Sequence, residues 1–492
     1  MGAVAIKEGN FVIKILPNLG VQGLSLQTFA LLVLALVLAG TSKLRAQITK
    51  ALQPAVVICN ARLLTMDGKV IENGTIVCHG GLITAVGTSP KLPLLRRDID
   101  ASGKTITPGF IDASSAIGRT KSSASGNLLR RAEDAFDRYA VDGLREALRN
   151  GVTSAYVSVG PGTGIRGQGA IVRLQPQTGG SIGSILTPRA ALEIDLGSTL
   201  SPLARINVLT GVHRQFQMAR SYRESLENYE DRLEAYKKKL SERSAPKSRA
   251  SGKKGKEKPR RTGEFATPEK PSAKPPTAPP KKDKTPKKPR KPRRSPSSER
   301  ILDALDRELP VRITANKTAD ILNALDLAKE FNLDLVLEGA SEAHLVATLI
   351  PAEVPIILSD LPREEFGPNG RATPLNGTLL RSTGSHRVVV GSGSRSPLAT
   401  RFVAFLAQLD AAPGNSASGQ TASPASRSDI LERVTSIAAD TLGVGGKIGR
   451  LRAGMQADFV IWSGDPLDPA SRVEKVFVGG AKAYDADEET SE

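Results

Sequence analysis

The sequence predicts an α/β protein in which a long run of strand–helix units is bracketed by strand-rich ends. Three observations carry this reading. From Thr107 to about Asp440, short apolar strands alternate with amphipathic helical stretches, the rhythm of a parallel sheet covered by helices. Setting aside a basic insert at 222–300 leaves roughly 250 residues in this region, the usual size of an eight-stranded barrel. Both flanks, 47–106 and 441–486, read as short strands with Gly turns, so the two chain ends are expected to pair. Rhythm alone fits a closed barrel and an open doubly wound sheet equally well.

Taken in order, the chain opens with Lys7 and Lys14 ahead of an uncharged run, FALLVLALVLA, at Phe29–Ala39. Eleven residues are short for a membrane span, which needs about 20. The run fits the apolar core of a signal peptide, with cleavage after Ala39 or Ala46. Because the apolar stretch lengthens when counted over 24–39, residues 1–46 are read as a signal peptide or a membrane anchor, and the protein as exported (periplasmic or cell-surface). That segment is the only expected membrane contact. AVVICNARLLT, a turn at Asp67-Gly68, and GTIVCHGGLITAVG then predict a small antiparallel sheet. Cys59 and Cys78 fall in it, and two cysteines are too few for a disulfide framework; buried free thiols are expected. In the central region LREALRNG, ILNALDLAKEFN, EAHLVATLI, LATRFVAFLAQL and ILERVTSIAADTLG are expected as helices. FIDASSAIG, VTSAYVSVG, LDLVLEG, VPIILS and RVVVGSG are expected as strands.

The insert begins as a charged helix, SYRESLENYEDRLEAYKKKL, and becomes Pro/Lys/Arg/Ser-rich over 241–298, which holds 12 of the 32 prolines. Such a composition cannot bury enough apolar area to offset chain entropy and predicts disorder. Residues 237–300 carry 24 Lys and Arg against 6 Asp and Glu, a surplus equal to the whole net charge of +18. Basicity therefore belongs to the insert, and any polyanion or acidic partner would be met through 241–298. A polar stretch at 413–427 reads as a surface loop.

Four segments in order resemble the amidohydrolase superfamily, especially its exported imidazolonepropionase-like branch. They are GKTITPGFIDASSAIG, GVTSAYVSVGPGTGIRGQGAIVRL, LPVRITANKTADILNALDLAKEFNLDLVLEGASEAHLVA and IGRLRAGMQADFVIW. The resemblance implies a (β/α)8 TIM-type barrel at 107–440 plus a small β-sandwich built from both chain ends. It also implies a Gly-rich loop after the second strand and hydrolysis of non-peptide C–N bonds with one or two divalent metals, such as zinc. A bound metal lowers the pKa of its water from 15.7 to about 7, which requires imidazole and carboxylate ligands at the C-terminal ends of the strands.

At the positions where the resemblance places those ligands the sequence has Ser114 and Ala116 for a His-x-His pair. Thr314 stands for the next histidine, with Asn316 at the following inward position. Gly339 stands for a further histidine and Gly393 for an aspartate. None is a strong ligand, so the expectation is a pseudoenzyme without its metal, acting as a binding or scaffold protein. The four histidines, His79, His213, His344 and His386, have no ligand spacing and read as structural or solvent-facing. Asp112, Asp320, Glu338, Ser392, Ser394 and Arg395 remain as polar candidates. Asp112 reads first as a turn or strand-end residue, and Ser392 and Ser394 in GSGSRS as a plain loop or an anion nest that could serve a small-molecule ligand. GPGTGIRGQG lacks the GK[ST] of a phosphate loop. Two other functions stay open: an active hydrolase of cyclic amide-type bonds with an atypical site, and a polyanion-binding protein working through the insert.

Overall fold

The computed structural model describes residues 54–119, 128–244, 287–359, 365–366, 372–373, 387–393, 427–468 and 470–489. The predicted signal or anchor at 1–46, the helix LATRFVAFLAQL, the loop at 413–426, and His386, Ser394 and Arg395 lie outside them.

Alternation of side chains sorts the first sheet into two faces. Strand β1 (Ala55–Leu64) pairs antiparallel with β2 (Val70–His79), and β2 with β3 (Leu82–Gly87). The other edge of β1 is shared in parallel by β4 (Arg96–Asp100) and then β5 (Thr105–Pro108). From the far end of the chain, β16 (Phe459–Trp462) pairs antiparallel with β5, and β17 (Val473–Val478) and β18 (Ala481–Asp485) complete eight strands. The two chain ends pair, as expected. On β16, Phe459 and Ile461 join Ile58, Ile76, Ile106 and Phe477 in one core. Val460 and Trp462 face the other way, into a core shared with Phe110, Leu148 and Val152. Cys78 is buried and Cys59 only partly so; both are free.

The second sheet runs β6 (Phe110–Ser115), β7 (Val152–Val157), β8 (Gly164–Pro176), β9 (Ile182–Asp195), β10 (Val311–Ala315), β11 (Leu335–Gly339), β12 (Ile356–Leu358) and β15 (Val388–Val390), a nearly closed eight-stranded barrel. A separate pair, β13 (Glu365–Phe366) and β14 (Ala372–Thr373), is antiparallel. Seven barrel strands run parallel, but β8 is antiparallel to both neighbours. The expected Gly-rich loop is therefore the start of a strand, with Gly164, Gly167 and Gly169 inside β8 and Gly162 ahead of it. Close approach explains the composition: a Cβ on Gly169 would stand 2.0 Å from the Tyr156 hydroxyl.

Helices cover the outside: α1 (Ala132–Ala135), α2 (Val141–Arg149), α3 (Pro202–Ser244), α4 (Pro296–Leu305), α5 (Thr318–Phe331), α6 (Arg427–Glu432), α7 (Ser436–Thr441) and α8 (Ala486–Glu489). Outward residues Leu192, Val311, Ile313, Leu335 and Leu337 pack with Phe216, Ile321, Ala324 and Phe331 from α3 and α5. Two helix expectations need correction. EAHLVATLI forms two 3-10 turns, Ala343–Leu345 and Ala347–Leu349, and ILERVTSIAADTLG breaks into α6 and α7. Within the insert α3 continues to Ser244, and 287–295 lead into α4 at Pro296.

A buried fork ties the barrel to the first sheet. Arg173 on β8 donates to both Asp458 oxygens at 2.9 and 2.5 Å, and Asp458 also accepts from the Gly479 N–H at 2.7 Å. This bidentate geometry fixes the register of the two bodies as well as their contact.

Candidate functional site

The inward positions of the barrel strands carry charged side chains (Arg166, Glu193, Arg312 and Glu338) beside apolar ones such as Ile111, Val336, Ile357 and Val389. A charged group inside a strand bundle costs several kcal/mol unless paired and hydrogen-bonded, and here the pairings form a closed ring. Arg312 Nε on β10 donates to Glu338 Oε2 on β11 at 2.7 Å, and Arg312 Nη1 donates to the Ala113 carbonyl of β6 at 2.8 Å. Ser114 Oγ donates to the other oxygen, Glu338 Oε1, at 2.6 Å. The Arg312 guanidinium lies 4.0 Å from the centroid of the Tyr156 ring. Tyr156 on β7 donates its hydroxyl hydrogen to Glu193 Oε1 on β9 at 2.9 Å, and Ser158 Oγ donates to Glu193 Oε2 at 2.8 Å. Arg166 on β8 stands 3.4 Å from that same Oε2 and 3.4 Å from Thr314 Oγ1, which is itself 3.4 Å from Glu338 Oε2. Six of the eight strands are thus joined through one polar layer at the end where the parallel strands finish, the face on which barrels place their sites.

Electrostatics within the ring follow from these contacts. Burial alone would raise the Glu338 carboxyl, but the Arg312 charge and hydrogen bond, with help from Arg166 and Ser114, hold it down to about 2. Burial opposes the charge on Arg312, yet Glu338 and its surroundings raise that guanidinium further. Burial likewise pushes the Tyr156 hydroxyl well up, so it is a donor at neutral pH. Asp195, at the end of β9, is raised by burial despite Arg166 at 3.8 Å. Two donors in the ring have no hydrogen-bond partner among the described residues: Arg312 Nη2 and Arg166 Nε.

Beside the ring, Asp112 closes the barrel. Its Oδ1 accepts from the N–H groups of Ser392 at 2.7 Å and Ser114 at 3.1 Å, and its Oδ2 from Ser392 Oγ at 2.5 Å. The Gly393 N–H donates to the Ser114 carbonyl at 2.7 Å, so the last strand is stitched to the first. A Cβ at Gly391 would stand 2.3 Å from the Ser114 nitrogen, which explains a glycine at this seam. Burial raises the Asp112 carboxyl in spite of these bonds.

Of the residues singled out in the sequence, Ser114, Thr314, Glu338, Asp112 and Ser392 come together here. Asn316 lies just beyond β10, and its Oδ1 accepts from Ser341 Oγ at 3.2 Å. Ala116 is buried beyond β6, Gly339 ends β11 with φ +80°, and Gly393 has φ +60°. Asp320 is buried in α5, 3.4 Å from Arg205 on α3. His213 pairs with Glu330 at 2.8 Å on the barrel exterior, His79 ends β2, and His344 sits in a 3-10 turn where a longer helix was expected. Arg312, Arg166, Tyr156 and Glu193 were missed. Their signal was available: VRITA and GIRG each set one charge, and ALEID two, beside apolar or small neighbours on a strand, a pattern that demands buried partners.

No family model matches the chain. The amidohydrolase of Thermotoga maritima superposes with a TM-score of 0.62 at 21% identity, covering 87% of this chain and all of that one. The chain has the amidohydrolase fold. A zinc-bound adenosine deaminase from Xanthomonas campestris is a more distant likeness, with a TM-score of 0.41 at 15% identity over 87% of this chain and 93% of that one. The amidohydrolase tasK of Hapsidospora irregularis is 40% identical over 55 residues, 11% of this chain, and the match spans only 6% of that protein's length.

At the strand ends where the resemblance places a divalent metal, the described residues are Ser114, Ala116, Thr314, Gly339 and Gly393. Among the described residues no group of three or more His, Cys, Asp or Glu side chains converges as a metal-holding set. Both oxygens of Glu338 already accept hydrogen bonds, from Ser114 and Arg312. A dication there would face the Arg312 guanidinium at close range in a medium of low dielectric, a repulsion of several kcal/mol. At Gly339, a side chain in place of hydrogen would bring Cβ to 2.0 Å from Asn316 Oδ1.

Proposed function

We propose that this is an amidohydrolase-family protein whose barrel mouth serves binding or scaffolding and does not run metal-dependent hydrolysis of C–N bonds. The observation that carries the reading is the claim of Arg312 and Ser114 on Glu338, which places a covalently tethered cation among the strand ends. Binding is supported by the two buried guanidinium N–H groups that meet no acceptor within the described residues, since an unmet buried donor costs about 1–3 kcal/mol and an oxygen of a small ligand or a water relieves it. Metal analysis of the purified full chain tests the proposal. After dialysis against a weak chelator the protein should carry far less than one equivalent of zinc or any other divalent ion. Its melting temperature should not move when zinc is added back, because a ligand that binds only the native state must stabilise it. Stoichiometric metal that survives dialysis overturns the reading.

A further inference from the structure

The insert contains two patterns that fit each other. On α3, Tyr222, Leu226, Tyr229, Leu233 and Tyr236 recur at spacings of four and three and are half-buried, while Glu224, Glu227, Glu230, Asp231 and Glu234 between them are exposed. A heptad stripe of this kind on a solvated helix needs a cover. Over residues 287–295, KKPRKPRRS, only Pro289, Pro292 and Ser295 are half-buried; every Lys and Arg is exposed. Burial at every third residue of a Pro-rich run marks one side of a polyproline II helix, which has three residues per turn.

Geometry brings the two together. Ser295 caps α4 by accepting from the Ser298 N–H, Arg294 pairs with Glu299 at 2.9 Å, and Glu299 also accepts a hydrogen bond from Tyr222. The segment therefore sets out beside Tyr222, and Arg223 on α3 pairs with Asp306 just past α4 at 2.6 Å. One polyproline turn advances about 9 Å, and seven helical residues advance about 10.5 Å. Followed back from Ser295 at Tyr222 along α3, these advances would set Pro292 beside Tyr229 and Pro289 beside Tyr236. We infer that residues 287–295 form a polyproline II strap on the Tyr–Leu stripe of α3, and that its outer sides are a docking surface for a linear, single-chain phosphate polymer.

With Pro289, Pro292 and Ser295 turned inward, the other two sides carry Lys287, Arg290 and Arg293 in one row and Lys288, Lys291 and Arg294 in the next. Each row repeats at about 9 Å. A strap already extended loses little chain entropy on binding, and its Arg forks suit phosphate oxygens. No aromatic residue in 287–295 is offered to a base, so recognition rests on the backbone charge alone. Two cations per turn, about one per 5 Å, follow a single anionic chain better than a duplex with one charge per about 1.7 Å of axis.

The test titrates the full chain with long-chain inorganic polyphosphate and compares three variants, each checked by circular dichroism for unchanged melting. K287Q/K288Q/R290Q/K291Q/R293Q should weaken binding by about tenfold or more and flatten its salt dependence. K247Q/R249Q/K253Q/K254Q/K256Q removes the same charge elsewhere in the insert and should cost less than about threefold. P289S/P292S keeps every cation and should still cost about threefold, by making the strap pay chain entropy on binding. Equal losses from the two five-charge variants would mean that net charge alone matters and would overturn the proposal. Unchanged binding by P289S/P292S would remove the preformed strap, and tighter binding to duplex DNA at equal charge would remove the single-chain partner.

Discussion

Asp112 and Glu338 sit in the same barrel, one at the seam and one in the ring, and both are almost fully buried, at 5% and 7% exposure. Their carboxyls nevertheless move in opposite directions. Asp112 accepts only from serine hydroxyl and backbone N–H groups, and burial wins, so it is raised. Glu338 has Arg312 at 2.7 Å, and the pair wins over burial, so it is held down to about 2. Burial does not decide the charge state of an interior carboxyl by itself; the presence of a cationic partner does. The seam is accordingly a hydrogen-bonded clasp, and the ring is an ion-paired layer.

The largest effect should come from breaking the ring. Arg312→Met leaves Glu338 buried without its cation and should destabilise the fold by about 3–5 kcal/mol, read as a fall in the urea midpoint. Arg312→Met with Glu338→Met removes both charges, and most of that loss should return, because a well-packed apolar pair can replace a buried ion pair. If the double variant is as unstable as the single one, the ring is not a self-contained unit and its comparison with the seam fails.

Acid titration of the unmodified chain sharpens the contrast. Glu338 has a folded pKa of about 2, depressed from 4.5, so its contribution is complete above the ordinary value and disappears as pH falls from about 4.5 towards 2. Stability followed by chemical denaturation should therefore decline across that window. In Arg312→Met the largest cause of the depression is gone, and the acid-side decline assigned to Glu338 should shrink.

Much of this architecture was legible before any coordinates. Short apolar runs placed β6, β7, β11, β12 and β15, and the strand-rich ends pair through β5 and β16. What escaped was everything decided by contact across the barrel. Arg312 is the single charge of a five-residue strand, while Arg166 and Glu193 lie in the long strands β8 and β9; the pairs Arg312–Glu338, Arg166–Glu193 and Tyr156–Glu193 are 26, 27 and 37 residues apart, distances that no local pattern reports. The glycines of β8 read as a loop because composition alone does not distinguish a turn from a strand squeezed against Tyr156. The resemblance proposes ligand positions but not the cation that stands beside them, because it carries a list of expected histidines and no expectation of arginine.

The smallest effect tests the clasp. Asp112→Asn keeps an oxygen to accept from the Ser392 and Ser114 N–H groups and turns the other atom into a donor towards Ser392 Oγ, which can rotate to accept. The cost should be about 1 kcal/mol, the worth of one hydrogen bond. Its pH dependence carries the sharper information. A raised folded pKa means that Asp112 contributes stability fully below its ordinary value of 3.8 and loses it as pH rises through the folded value. The difference between Asp112→Asn and the unmodified chain should therefore be largest in acid and shrink towards neutrality, the reverse of the trend for the ring. A difference that grows on going from acid to neutral pH would mean that Asp112 is held as an ion, and the two carboxyls would no longer stand as opposites.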